Sequence, residues 1–223
     1  MKHMHGILLL ALSTTMLSMP SHAQESERRF KVLTTEEMTP AQRELANNIR
    51  SGPRAAVAGS AANASANTVG SPFNVFLRSP ELGDSLQKTG SYIRFKSSLG
   101  LRLNELAILV TARHWSSQYE WHAHHRLALQ AGLNPKVAED IAQGRRPTGM
   151  QPDEEIVYNF SHELHHNKSV SDAAYKAALD KFGEQGVMDL IGVNGYYTLV
   201  AMVLSVDRTP IPGNAPAPLP TLK

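Results

Sequence analysis

The sequence predicts an all-α fold. No stretch alternates apolar and polar residues in the way a half-buried strand requires. Helix starts recur as a capping residue followed by proline, at Thr39-Pro40, Ser79-Pro80 and Asn134-Pro135. The run from Leu103 to His114 is apolar nearly all round, which suits a buried helix rather than a surface one.

Taken in order, the first helix runs from Thr39-Pro40 through Ile49, with Thr39 as its cap. Ser51 to Ser71 is rich in Gly, Ala, Ser and Asn and has no hydrophobic period, so it is predicted to be a long mobile loop. Ser79-Pro80-Glu81 opens a helix to about Lys88, and a short helix around Ser91 to Ser98 carries Tyr92, Ile93 and Phe95. Glu105 lies near the start of the Leu103–His114 helix. There it serves either as a first-turn acid favoured by the helix dipole or as a buried acid facing a cavity. The next helix, Ser117 to Ala131, stops at Gly132, and Asn134-Pro135 caps a short one ending before Gly144. Asp153 to Asn167 is amphipathic along Val157, Phe160 and Leu164. Ser171 or Asp172 caps a helix to Phe182, and the last helix spans about Gln185 to Val206. That helix carries no charge from Leu190 onward, but Asp189, Gly192, Asn194 and Gly195 favour a buried core or subunit-interface helix over a membrane span. Pro210 to Pro220 reads as an extended, loosely packed tail.

At the front, Lys2 precedes an apolar run from Ile7 to Leu17, and Ser21-His22-Ala23 supplies small residues at the minus-three and minus-one positions of a signal-peptidase site. Residues 1–23 are therefore expected to be a signal peptide and the chain to be exported, to a periplasm or beyond. Residues 24–33 form an extension, 34–209 a single helical domain and 210–223 the tail. A mature chain of about 200 residues suits one domain with a sizeable core. The full chain's 22 lysines and arginines face 20 acidic residues, and loss of Lys2 with the signal peptide leaves 21 against 20, so no broad charge draws it to nucleic acid or to an anionic membrane. The chain has no cysteine, which removes thiol catalysis, disulfide exchange and cysteine-based metal sites.

The strongest chemical signal is Glu120-Trp121-His122-Ala123-His124. Glu120 and His124 lie one turn apart, on a stripe shared with Ser117, Trp121, Leu127, Ala128 and Ala131, so they can share a proton or hold a reactant between them. An ionisable pair turned toward a core is costly unless partnered, and such places are where ionisation is tuned for chemistry. The bland alternative is a helix-surface ion pair or a structural histidine. His122, His125 and Arg126 project away from the stripe, onto a face expected to be solvated.

With these pieces in order, the chain resembles the carboxymuconolactone decarboxylase family, also called the alkylhydroperoxidase D-like superfamily, in a branch without its Cys-x-x-Cys pair. The resemblance spans about Thr34 to Pro212. Before the site it rests on Ser71-Pro72-Phe73, Arg78-Ser79-Pro80-Glu81-Leu82, Arg94-Phe95 and Asn104-Glu105-Leu106-Ala107-Ile108-Leu109. It continues through Tyr119-Glu120-Trp121 with His124, Ala131-Gly132-Leu133, Val170-Ser171-Asp172 and Gly195-Tyr196-Tyr197. It implies a helical bundle that assembles as a homotrimer or homohexamer. In the peroxidase branch a glutamate, two cysteines and a histidine form a proton relay. Aligned by spacing, the glutamate falls on Glu105, the histidine on His124, and the cysteines on Ser117 and Glu120, with Tyr119 where that branch has another histidine. Serine and carboxylate cannot run a sulfenic acid and disulfide cycle, so thiol peroxidation is not expected.

The decarboxylase branch implies acid–base chemistry without cofactor or metal, in which a placed acid delivers a proton to the carbanion left by carbon dioxide. His124 is then the proton donor or shuttle, Glu120 tunes and orients it, and Glu105 completes the relay. Ser117 and Tyr119 are expected to bond substrate oxygen, Trp121 to line the site, and Arg113 or Arg94 to meet a carboxylate. An exported relative is expected to act on a small organic acid, lactone or carbonyl compound other than the lactone of a cytoplasmic pathway. Two readings compete. His162-Glu163-Leu164-His165-His166 matches the His-Glu-x-x-His pattern of zinc hydrolases, with Glu163 as base and Glu184 as the nearest third-ligand candidate. Its histidines, however, share the polar face of Glu155 and Asn159. The other rival is a non-catalytic small-molecule binding protein on the same fold. Met188, Met202, Tyr196 and Tyr197 on the last helix read as packing residues, with either tyrosine able to line a pocket.

Overall fold

A computed structural model describes residues 28–222; the predicted signal peptide and its cleavage after Ala23 lie outside the described residues. Among those residues the chain is all-helical and has no strand. The helices are α1 (Pro40–Ser51), α2 (Phe73–Phe76), α3 (Pro80–Phe95), α4 (Gly100–His114), α5 (Gln118–Gln130), α6 (Pro135–Ala142), α7 (Pro152–Asn167) and α8 (Asp172–Asp207). The α1 start is a capping box: the Thr39 hydroxyl accepts from the Gln42 backbone while the Gln42 side chain returns to Thr39 N.

The central element is α4, which packs against α5, α6, α7 and α8. Every residue from Leu103 to Arg113 is buried. Fully enclosed Leu106, Ile108 and Leu109 each contribute about 1.5–3 kcal/mol of burial. Because α4 starts at Gly100, Glu105 lies beyond its first turn, and no acidic residue occupies that turn. The dipole role for Glu105 therefore gives way to a buried acid. A second apolar cluster joins Leu45, Ile49, Phe73, Phe76 and Leu77, beside α3.

Three expectations are corrected. Residues 80–95 form one helix rather than two. Gly90 does not break it: a Cβ there would sit 2.2 Å from the Tyr196 hydroxyl and 2.6 Å from Arg54 Nη2, so glycine is needed for close approach to α8. The stretch 51–71 is not a featureless loop. It folds into 3-10 turns at Pro53–Ala56 and Ala61–Asn63 and buries Arg54, Ala62, Val69 and Ser71. The proline-rich tail is docked, because Leu219 is buried and its backbone pairs with the Gln118 side chain in both directions, at 2.8 and 2.9 Å. The two helices expected on either side of Gly183 are present as the two arms of α8, separated at that glycine by its non-helical backbone (φ 68°, ψ 179°).

The extension before α1 is also held down. Arg28 pairs with buried Asp207, Phe30 N donates to Asp207 Oδ1 at 3.1 Å, and Leu33 N donates to Asn74 Oδ1 at 3.1 Å. α8 is long and apolar enough to cross a membrane by composition, and 56% of its most apolar window is buried inside the fold.

Candidate active site

A cavity of about 370 Å³ lies where the two apolar clusters meet, walled by the 54–61 turns, Ser71–Phe73, α5 and α8, with Arg94 from α3. Glu120, His124, Tyr119, Tyr196, Tyr197 and Arg54 all line it. Glu105 stands behind His124, reached through a hydrogen bond rather than by lining the cavity.

α5 begins at Gln118 with Ser117 as its cap residue, which turns both Glu120 and His124 toward α4 and α8. His124 Nδ1 donates to Glu105 Oε2 at 2.7 Å. This fixes the imidazole and leaves Nε2 for a reactant in the cavity. The Tyr197 ring meets the His124 ring edge to face, with centroids 4.9 Å apart, and Tyr196 meets Tyr197 the same way at 5.3 Å. The partner of His124 is thus Glu105 across two helices, not Glu120 along its own.

Glu120 is only 1% exposed, and neither carboxyl oxygen has a hydrogen-bond partner among the described residues. Burial without compensation holds its carboxyl well above the usual carboxylate range. Burial therefore favours the protonated form, the one that can give a proton. Burial likewise pushes the Tyr196 and Tyr197 phenols up, so both remain protonated.

The arginines in the body of the cavity are Arg54 and Arg94, with Arg126 also among its lining residues. Arg54 is 3% exposed; Nη1 donates to the Gln87 carbonyl at 3.0 Å, its charge lies 5.3 Å over the Phe73 ring, and Nη2 has no partner. No carboxylate among the described residues pairs with either arginine. Sequence reasoning missed Arg54, because nothing in an aperiodic Gly/Ala/Ser stretch marks it as inward-facing. Its one signal was a lone arginine directly after Pro53, at the start of a turn.

Of the expected substrate contacts, Tyr119 and Arg94 line the cavity, and Ser117, Trp121 and Arg113 do not. Tyr119 donates its hydroxyl to the Ser71 carbonyl at 3.2 Å, so its proton is committed to the wall. Ser117 is the cap of α5, its carbonyl accepting from Trp121 N at 3.0 Å. Trp121 points into the core and stacks on His125. Arg113 turns to the other side of α4, where it donates to the carbonyls of Ala142 and Pro220 at 3.2 and 2.9 Å and to Ser116 Oγ at 2.8 Å. Conversely, His122 and Arg126, expected on a solvated face, form the cavity mouth. Arg126 Nη2 bridges it by donating to the Ala58 carbonyl at 3.0 Å.

The His-Glu-x-x-His segment is arranged differently from a hydrolase site. Glu163 accepts from Ser171 N at 2.7 Å and from Ser171 Oγ at 3.2 Å, so its carboxylate closes the turn between α7 and α8. The His162 and His166 rings lie face to face, 4.0 Å apart, and Glu184 is exposed. Among the described residues, no three histidine or carboxylate side chains gather as a metal-binding set. Compared with protein-family models and with curated proteins, the chain finds no match in either.

Proposed function

We propose that this chain catalyses cofactor-free acid–base chemistry on a small organic acid, in the manner of the carboxymuconolactone decarboxylase family that its motifs resemble. The observation that carries this reading is Glu120, a buried carboxyl without a partner whose protonated form burial favours, in the wall of a cavity whose other wall holds an arginine without a counter-charge. An uncompensated buried guanidinium is costly, and an anionic substrate is the natural compensation. An uncompensated buried carboxyl stays neutral, and a reacting carbanion is the natural recipient of its proton.

In this mechanism Arg54 and Arg94 hold the charge of the acid. The bond to the departing carboxylate breaks, carbon dioxide leaves, and the electron pair moves into the adjoining carbonyl to form an enolate. Glu120 gives its proton to the carbon. His124, fixed by Glu105, returns a proton from solvent to Glu120, so the cycle consumes one proton per turnover. Relative to the sequence reading, proton delivery moves from His124 to Glu120, and the orienting of His124 moves from Glu120 to Glu105. Lactone or carbonyl substrates with the same charge fit the same groups.

The test is a screen of carboxylated lactones and β-keto acids for carbon dioxide release or ring opening, with His124→Ala and E120Q as controls. Compounds that bind without turning over would instead favour the non-catalytic binding reading. In the same proposal the chain is exported after cleavage at Ala23, which N-terminal sequencing of the mature protein checks. It also assembles as a homotrimer or homohexamer, for which Met188, Ile191 and Met202, exposed along α8, supply an apolar surface. Light scattering reads that assembly directly.

A further inference from the structure

On the opposite side of α4 from the first cavity is a second one of about 350 Å³, closed by the docked tail. Its polar lining includes Arg113, His114, Arg145, Tyr158, His162 and His166, and no carboxylate among the described residues lines it. Val110, Ile141 and Leu222 supply an apolar wall. We propose that this cavity binds a small organic anion, with its acidic head among Arg113 and the histidines and its apolar body against that wall.

The charge balance is the first argument. Arg113 is 8% exposed, donates only to neutral oxygens, makes no ion pair, and leaves Nε without a partner. Arg145 is paired with Asp140 at 2.8 Å, and Lys136, which shares Asp140 at 2.7 Å, also pairs with Glu139 at 3.5 Å, so the uncompensated charge of the cavity is that of Arg113. A buried guanidinium without a counter-charge, in a cavity large enough for a small molecule, is a built anion site.

The histidines supply the second argument. His114 meets His166 edge to face at 5.1 Å and stacks on His165 at 4.9 Å, and His166 stacks on His162 at 4.0 Å. His166 Nδ1 donates to the His162 carbonyl at 2.9 Å, leaving its Nε2 free. Rings this close repel one another when protonated, and an anion among them relieves that repulsion. The surrounding charges are Lys168 and Arg146 on the cationic side and Glu163 on the acidic side. Glu155 is taken up by Arg146. Burial first, then these cations, hold His114 and His162 below the usual histidine value. His165 is held down to about 4 and bonds Thr111, so it stays neutral. Binding therefore takes up protons, and affinity rises as pH falls from 8 to 6.

Imidazole NMR titration of the full chain tests this with benzoate as probe and benzamide as its neutral isostere. The histidine signals report this cavity directly, so binding beside Arg54 does not enter the reading, and failure here leaves the first cavity untouched. With saturating benzoate, His114 and His162 are expected to titrate about one pH unit higher, a tenfold coupling, while benzamide leaves them unchanged. The partly exposed pair H162A/H166A, which leaves the core intact, should abolish the response at His114. Identical titration curves with benzoate and benzamide would overturn the proposal. So would an undiminished benzoate response at His114 in the double variant.

Discussion

His124 Nδ1 donates to Glu105 Oε2 at 2.7 Å across the α4–α5 contact, while Glu120, one turn earlier on α5, has no hydrogen-bond partner among the described residues. Two carboxyl groups beside one imidazole are thereby separated in role. One orients the ring, and burial favours the protonated form of the other.

Removing the orienting group should be visible in the ring itself. In the wild type, nitrogen NMR is expected to find the His124 proton on Nδ1. Glu105→Ala should lose that tautomer preference, and turnover of a responsive substrate should fall about a hundredfold or more. A melting temperature that drops while the tautomer stays unchanged would reduce Glu105 to a packing residue.

Arg54→Met separates charge recognition from folding. The dissociation constant for an acid substrate should rise about tenfold to a hundredfold, the value of a charge-assisted hydrogen bond, whereas the corresponding amide should bind as before. Thermal stability should hold or increase, because the substitution removes a buried cation that has no counter-charge. Equal losses for acid and amide would contradict the assignment.

Gly90→Ala tests the contact between α3 and α8. Alanine favours a helix interior by about 1 kcal/mol over glycine, so propensity alone predicts a gain. The added methyl would instead meet Tyr196 and Arg54, an overpacking that costs about 1–3 kcal/mol. A net loss in chemical denaturation is expected, partly restored when Tyr196→Leu is combined with it, since touching residues are not additive. Simple additivity would show that the close approach is not present in solution.

These particulars mark what the sequence made legible. The helical periods of Leu103–His114 and Ser117–Ala131 identified α4 and α5, and the family resemblance, not periodicity, implied that Glu105 joins Glu120 and His124. Spacing along one helix gives nearness but not direction, so it favoured a Glu120–His124 partnership over the observed bond to α4. Arg54 escaped because its burial depends on a 3-10 turn docking against α3, a tertiary event without a periodic signature. The continuity of α3 through Gly90 was not legible, because a glycine needed for space and a glycine that ends a helix look alike in sequence. The tail read as loose because proline content reports backbone stiffness, not whether a single Leu219 finds a core to enter.

Glu120 also sets a pH dependence of stability. Its unfolded-state value is the ordinary 4.5, and burial raises the folded-state value well above it. The folded chain keeps a proton that the unfolded chain releases, so stability falls as pH rises above 4.5 toward the folded value, and is unaffected below. E120Q removes this dependence, and its melting temperature should gain on the wild type from pH 5 to pH 8. A gap of the same size at both pH values would contradict a neutral buried Glu120.

The most direct measurement is the ionisation state of Glu120 itself, read at pH 7 by infrared difference spectroscopy between wild type and E120Q. A protonated-carboxyl carbonyl band present in the wild type and absent from the variant is the predicted result. A carboxylate band in its place would mean that Glu120 is ionised and cannot be the proton donor.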